Sequence, residues 1–151
     1  MRFVADTDIL SIFARIRRLD ILKKISDDVV IPQAVKAELA RGKIDVKYLD
    51  PDFVALTKDE LKYLKKTDRS LDLGERECFV IARNRHIPLA SNEIIVHRLC
   101  RREGIGYITL PRILRFAITE GVISRQEARK LIDAIEEEEH TVIKNKNEIF
   151  K

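Results

Sequence analysis

Four acidic side chains carry most of the chemical content of this sequence: Asp6 in FVADTDIL, Glu38 in IPQAVKAELA, Glu77 in LGERECFVIA and Glu93 in PLASNEII. Each is expected where a strand or helix meets a loop, beside an apolar run. A carboxylate there is costly to desolvate, so it seeks water, a cation or a hydrogen-bonding partner. Hard cations such as Mg2+ and Mn2+ take oxygen ligands and keep several waters, which suits a shallow group of carboxylates. The four are read as one divalent-metal site assembled from distant parts of the chain.

Each member also has a local reading. Asp6 can cap a helix before Ile9, a task that Thr7 or Asp8 could perform equally well. Glu75 and Glu77 can complement the macrodipole of the helix they begin. Glu38 can pair with Arg41 at helical spacing, and Glu93 can be an ordinary first-turn acid. Other metal chemistries lack material: His86, His97 and His140 share no ligand spacing, and Cys78 and Cys100 form no CxxC or Cys/His pattern. The two cysteines are expected as buried free thiols.

The elements that must position these residues follow from periodicity. Arg2–Ala5 reads as a short buried strand, followed by Ile9, Leu10, Ile12, Phe13 and Ile16 at helical spacing. A second strand is expected at 29–31, with Pro32 opening the helix that carries Val35, Glu38 and Leu39. Gly42, Asp45, Asp50 and Pro51 mark a loop, after which a weak strand at 53–56 and a charged helix at about 58–66 are expected. A strong helix runs from Gly74 to Arg85, a strand ends near Ala90, and a helix spans 92–102, closed by Gly104. The last strand is 106–109, with helices from Pro111 to about 120 and from Ser124 to about 139. Alternating strands and helices predict a three-layer α/β/α domain with a central parallel sheet, whose ligands bind beyond the carboxyl ends of the strands.

One domain accounts for 151 residues. The net charge of +4 admits a polyanionic partner without demanding one. No apolar run reaches membrane-spanning length and the opening run is too short for a secretion signal, so a cytoplasmic protein is expected. The run Glu136-Glu137-Glu138-Glu139 reads as a solvated helix end, and the tail from His140 to Lys151 as a docking arm or a frayed terminus.

Four blocks in order give the sequence a family likeness: Asp6-Thr7-Asp8 after a strand; Ile31-Pro32 with Val35 and Glu38-Leu39; Gly74-Glu75-Arg76-Glu77 at a helix start; and Ser91-Asn92-Glu93 after a strand. Over residues 2 to about 120 the chain resembles the PIN domain family of metal-dependent nucleases, in particular a prokaryotic branch with a GE.E motif and extra C-terminal helices. The resemblance implies a PIN-like nuclease domain at 1–120 and a helical extension and tail at 121–151 packed on it. It implies that Asp6, Glu38, Glu77 and Glu93 hold Mg2+ or Mn2+ and hydrolyse single-stranded RNA, with Thr7 supporting Asp6 and with Asp8, Glu75, Ser91 and Asn92 nearby.

The same resemblance implies the toxin half of a toxin–antitoxin pair, with an antitoxin protein as partner and a homodimer as the assembly. Arg17, Arg18, Lys23, Lys24, Arg101 and Arg102 are candidates for contacts to the RNA backbone. The departure from the family pattern is Glu93, where Asp is usual; the extra carbon–carbon bond extends its reach by about 1.5 Å. A PIN-fold subunit that binds RNA without cutting it is the alternative. Asp6-Thr7-Asp8 also resembles the opening of haloacid-dehalogenase-like phosphatases, but Leu10 stands where that family has Thr or Val.

Overall fold

Phe3, Val4 and Ala5 are fully buried because β1 (Arg2–Ala5) is the central strand of a five-stranded, all-parallel sheet in the order β3-β2-β1-β4-β5. The computed structural model describes residues 1–151. β2 is Asp28–Pro32, β3 Asp52–Val54, β4 Leu89–Ala90 and β5 Tyr107–Ile108. Phe3 pairs with Val29 on one side of β1, while Val4 and Ala5 pair with Leu89 and Ala90 on the other. A strand covered on both faces reads as a continuous apolar run, which is why periodicity locates β1 and β2 well. The strand expected at 106–109 shrinks to two residues, and the one expected at 53–56 is displaced to Asp52–Val54.

Eight helices flank the sheet: α1 (Thr7–Arg15), α2 (Leu19–Ile25), α3 (Gln33–Arg41), α4 (Lys58–Leu64), α5 (Leu73–Arg85), α6 (Ile94–Glu103), α7 (Leu110–Thr119) and α8 (Arg125–Glu139). The sequence reading did not separate α2 from α1. The break is Arg17, whose φ of 59° ends α1 in a left-handed turn that its sequence does not announce. α7 and α8 pack together and close on α2 and α1, whereas α5 packs on β1, β2 and β4 and contacts α3, α4 and α6. The connection from β3 to β4 returns to the far side of β1, so chain direction across the sheet reverses between β1 and β4. In open α/β sheets that crevice is where ligands bind.

One buried polar anchor fixes the α4–α5 flank. Glu60 caps its own helix in a capping box with Thr57 and receives Arg85 through two hydrogen bonds of 3.0 and 2.9 Å. The Glu60 side chain is 2% exposed, so removing the guanidinium strands a buried carboxylate. Arg85→Ala is expected to cost about 3 kcal/mol in urea unfolding, the lower end for a broken buried pair because Arg85 itself is partly solvated. A loss under about 1 kcal/mol would class the pair with screened surface bridges.

The tail is neither a frayed end nor a free arm. Ile143 and Ile149 are buried, and Phe150 lies beneath the guanidinium groups of Arg125 and Arg129. Glu136 holds the fold-back by accepting from the Ile143 amide at 2.8 Å and from Lys146 Nζ at 3.0 Å. Glu139 pairs with Arg15. The glutamate run is thus divided: Glu137 and Glu138 face solvent, while Glu136 and Glu139 tie α8 to its surroundings. No helix is long and apolar enough to cross a membrane.

Candidate functional site

Asp6 follows β1 and Ser91-Asn92-Glu93 follows β4, so the chain places both groups at the carboxyl ends of the two strands that flank the switch point. The Asp6 amide donates to Ala90 O at 3.2 Å, which ties the two strand ends together. Asp6 is itself the N-cap of α1: its Oδ1 accepts from the Ile9 amide at 3.0 Å. The capping role left open between Asp6, Thr7 and Asp8 therefore falls to Asp6. Asp6 has spent one oxygen on the helix and is 4% exposed.

Burial pushes the Asp6 carboxyl from its ordinary 3.8 up to about 7, against the opposing pull of the Ile9 amide and the Ser91 hydroxyl. The charges of Asp8 and Glu75 push the same way. Glu75, in a capping box with Asp72 at the start of α5, is raised to about 7 by burial, with Asp72 and Glu93 adding to the shift. Asp8 is also raised, first by burial and then by Asp72, Glu93 and Glu139. Five carboxylates, Asp6, Asp8, Asp72, Glu75 and Glu93, therefore share one electrostatic neighbourhood.

Glu38 and Glu77 do not stand at element ends as expected; each lies in the second turn of its helix. Thr7 Oγ1 donates to Glu38 Oε2 at 2.7 Å, so Thr7 supports Glu38, not Asp6. No pair forms between Glu38 and Arg41. Opposite Glu38 lies Gly74, where a Cβ would stand 2.2 Å from Glu38 Oε1. The glycine of the GE.E block is therefore a niche that a carboxylate occupies. Glu77 turns toward α3, where its Oε1 accepts from the Ala34 amide at 2.9 Å and satisfies one free N–H of that helix start. Beneath these groups the buried Cys78 thiol donates to Ala5 O, and burial together with the charges of Asp6, Glu38, Glu77 and Asp72 drives its pKa well up. Cys78 is inert packing under the acidic surface.

None of these seven carboxylates forms an ion pair within the protein. Their donor set is oxygen only, and within the protein their excess negative charge is offset only in part, by Arg15 acting on Asp8, which fits a hard divalent ion. No three His, Cys, Asp or Glu side chains are gathered closely enough to form a ready-made cage, and Glu38, Glu77 and one oxygen of Asp6 are engaged with Thr7, Ala34 and Ile9. Asp72 was absent from the sequence-based candidates, although Asp72-x-x-Glu75 is a legible capping box.

The neighbouring surface differs from the basic set read from sequence. A groove of about 640 Å3 opens beside Asp8 and Asn92, between α1, the start of α6, the start of α7 and the folded-back tail. Of the six basic candidates only Arg101 lines it; Arg18 pairs with Asp20, Lys23 bonds Leu49 O, and Arg102 lies against Glu103. Tyr107 stacks on His97 with ring centroids 4.8 Å apart. His97 is oriented by a 2.6 Å contact from Nε2 to Ser91 O.

A family model described as a PIN domain matches residues 2–146, running past α7 into α8 and the tail. Among solved structures, a PilT N-terminus domain protein from the hyperthermophilic archaeon Sulfolobus solfataricus P2 is similar, with a TM-score of 0.60 and 15% identity over 75% of this chain and 90% of that one. At that identity the likeness speaks for the fold. No curated protein matches the chain.

Proposed function

The chain belongs to the PIN domain family, whose fold is a nuclease fold that typically works with divalent metals, and from that premise we propose that it is a Mg2+- or Mn2+-dependent endoribonuclease acting on single-stranded RNA. The observation that carries the reading is the unpaired carboxylate group at the β1/β4 switch point, with Asp6 buried at its centre. Asp6, Glu75 and Glu93 would hold the ion, with Glu38 and Glu77 behind them. A divalent ion held there would supply Lewis-acid stabilisation of the charge that grows on phosphoryl oxygens.

The protein's own groups perform the positioning. The Ile9 amide fixes Asp6 Oδ1, and the Ser91 hydroxyl hydrogen-bonds the same carboxyl. Thr7 and the Gly74 niche fix Glu38, and the Ala34 amide fixes Glu77. The Ser91 hydroxyl receives the Glu93 amide at 3.1 Å and shapes the turn that presents Glu93. With Asp6 and Glu75 both near 7, the group is partly protonated in neutral solution.

Cleavage of a labelled single-stranded RNA panel with Mn2+, Mg2+ or chelator tests the reading. Metal-dependent cutting that falls at least tenfold in Glu93→Ala is expected; equal cutting in chelator would refute it. A second reading, a subunit that binds RNA without cutting, draws on the engagement of Glu38 and Glu77 in protein hydrogen bonds. RNA bound but left intact by the wild type in Mn2+ selects that reading. The role extends in this proposal to the toxin of a type II toxin–antitoxin pair, forming a homodimer and held by an antitoxin protein; growth arrest on expression, relieved by Asp6→Asn, is its expected sign.

A further inference from the structure

The groove beside the carboxylates is bounded on one side by the folded-back tail, which contributes Lys144 and Asn145, and on the other by Arg101, Tyr107 and Arg112. Its volume of about 640 Å3 falls inside the roughly 300–1,000 Å3 range of small-ligand sites. Arg101, Arg112 and Lys144 form no ion pair within the protein, in contrast to Arg15 on the same wall, which is neutralised by Glu139. His97 and Tyr107 stack at 19° between their planes, and Arg101 Nη1 donates to the Tyr107 hydroxyl at 3.2 Å, so cation and aromatic are held as one unit. Asp8 and Asn92 line the same groove, which makes it continuous with the carboxylate group.

Resting on the ribonuclease reading, we infer that this groove is a subsite for one unpaired nucleotide flanking the scissile phosphate. Arg112 and Lys144 are its phosphate contacts and the Tyr107–His97 pair its stacking wall. Free cations beside an aromatic surface are the combination that holds single strands, phosphate by charge and base by stacking. An acidic peptide would use the cations but leave the aromatic wall without a role. The C-terminal segment is therefore part of the substrate site and not only a cover for α7. Glu136 positions it through the Ile143 amide and Lys146.

The test uses the full chain with Asp6→Asn, so that RNA stays intact in Mg2+, and follows a fluorescein-labelled eight-nucleotide RNA by anisotropy across a salt series. Arg112→Glu and Lys144→Glu are each expected to weaken binding about tenfold and to lower the slope of log affinity against log salt by about 0.7. Tyr107→Leu should weaken binding at least about fivefold with the slope unchanged, as stacking requires. Lys62→Glu on α4, outside the groove, should change neither. Thermal melts establish that each variant is folded.

Unchanged affinity and slope in folded Arg112→Glu and Lys144→Glu chains would overturn the subsite, and the ribonuclease reading would survive if the wild type still cuts RNA. Failure of the parent chain to bind RNA overturns the subsite. If the wild type also fails to cut, the ribonuclease reading falls with it.

Discussion

Asp6→Asn is expected to abolish metal-dependent cleavage while making the metal-free protein more stable. Asn is as good an N-cap as Asp, so the Ile9 bond that starts α1 survives. What disappears is a buried charge. In the wild type the folded carboxyl titrates at about 7 and the unfolded one near 3.8. As pH rises past 4 the unfolded chain releases its proton first, so stability is full below that point, falls as pH climbs to 7, and stays low above it. About three pH units of difference correspond to roughly 4 kcal/mol.

In chelator at pH 8 the variant is therefore expected to melt roughly 8–16 °C above the wild type, using about 2–4 °C per kcal/mol for a chain of this size. At pH 4 the two should coincide. Mg2+ should raise the wild type and leave the variant unmoved, because ligand stabilisation requires the site. Cleavage should fall more than about 100-fold, beyond what losing an outer-shell partner of a metal costs. A variant that melts with the wild type at pH 8, or cuts at its rate, would remove Asp6 from the centre of the site.

Gly74→Ala should produce the opposite dissociation, an intact fold with a damaged site. The added methyl would lie 2.2 Å from Glu38 Oε1, 3.0 Å from Cδ and 3.3 Å from Oε2, so the carboxylate must leave its niche and its 2.7 Å bond from Thr7. Only the end of a flexible side chain has to move, and Ala is favoured over Gly inside a helix by about 1 kcal/mol, so urea stability should change little. Activity is expected to drop about 10–100-fold, the usual cost of losing a positioning contact at a metal site. The double substitution decides the cause: in a Glu38→Ala background, Gly74→Ala should cost nothing further. An additive loss would mean that the glycine acts on something other than Glu38.

The groove has a different status from the carboxylates because no local signal announces it. Lys144 and Asn145 lie far along the chain from Asp8, and they meet it only because Glu136 folds the tail back and Ile143 and Ile149 bury against the core. In sequence that tail is a polar segment with a few apolar residues, compatible with a free arm. The basic residues read as RNA contacts were adjacent pairs such as Arg17-Arg18 and Lys23-Lys24. Adjacency makes a cluster conspicuous without saying which carboxylate or carbonyl will take each member, as Asp20 takes Arg18 and Leu49 O takes Lys23.

The amino-acid sequence by itself determined the five strands, every helix but α2, and their order, because burial on both faces leaves continuous apolar strands and because caps, prolines and glycines are local signals. It also placed Asp6 and Glu93 at the carboxyl ends of strands, which followed once the alternating pattern implied a parallel sheet, whereas the strand order that sets those ends beside a reversal of chain direction is tertiary. Tertiary structure decided how each carboxylate is used: Thr7 on Glu38, Ala34 on Glu77, Gly74 as the space Glu38 fills, and the tail as one wall of the groove. Those pairings join residues tens of positions apart. Their partners are chosen by the packing of α3, α5 and α8 on the rest of the fold, and no period in the chain encodes that choice.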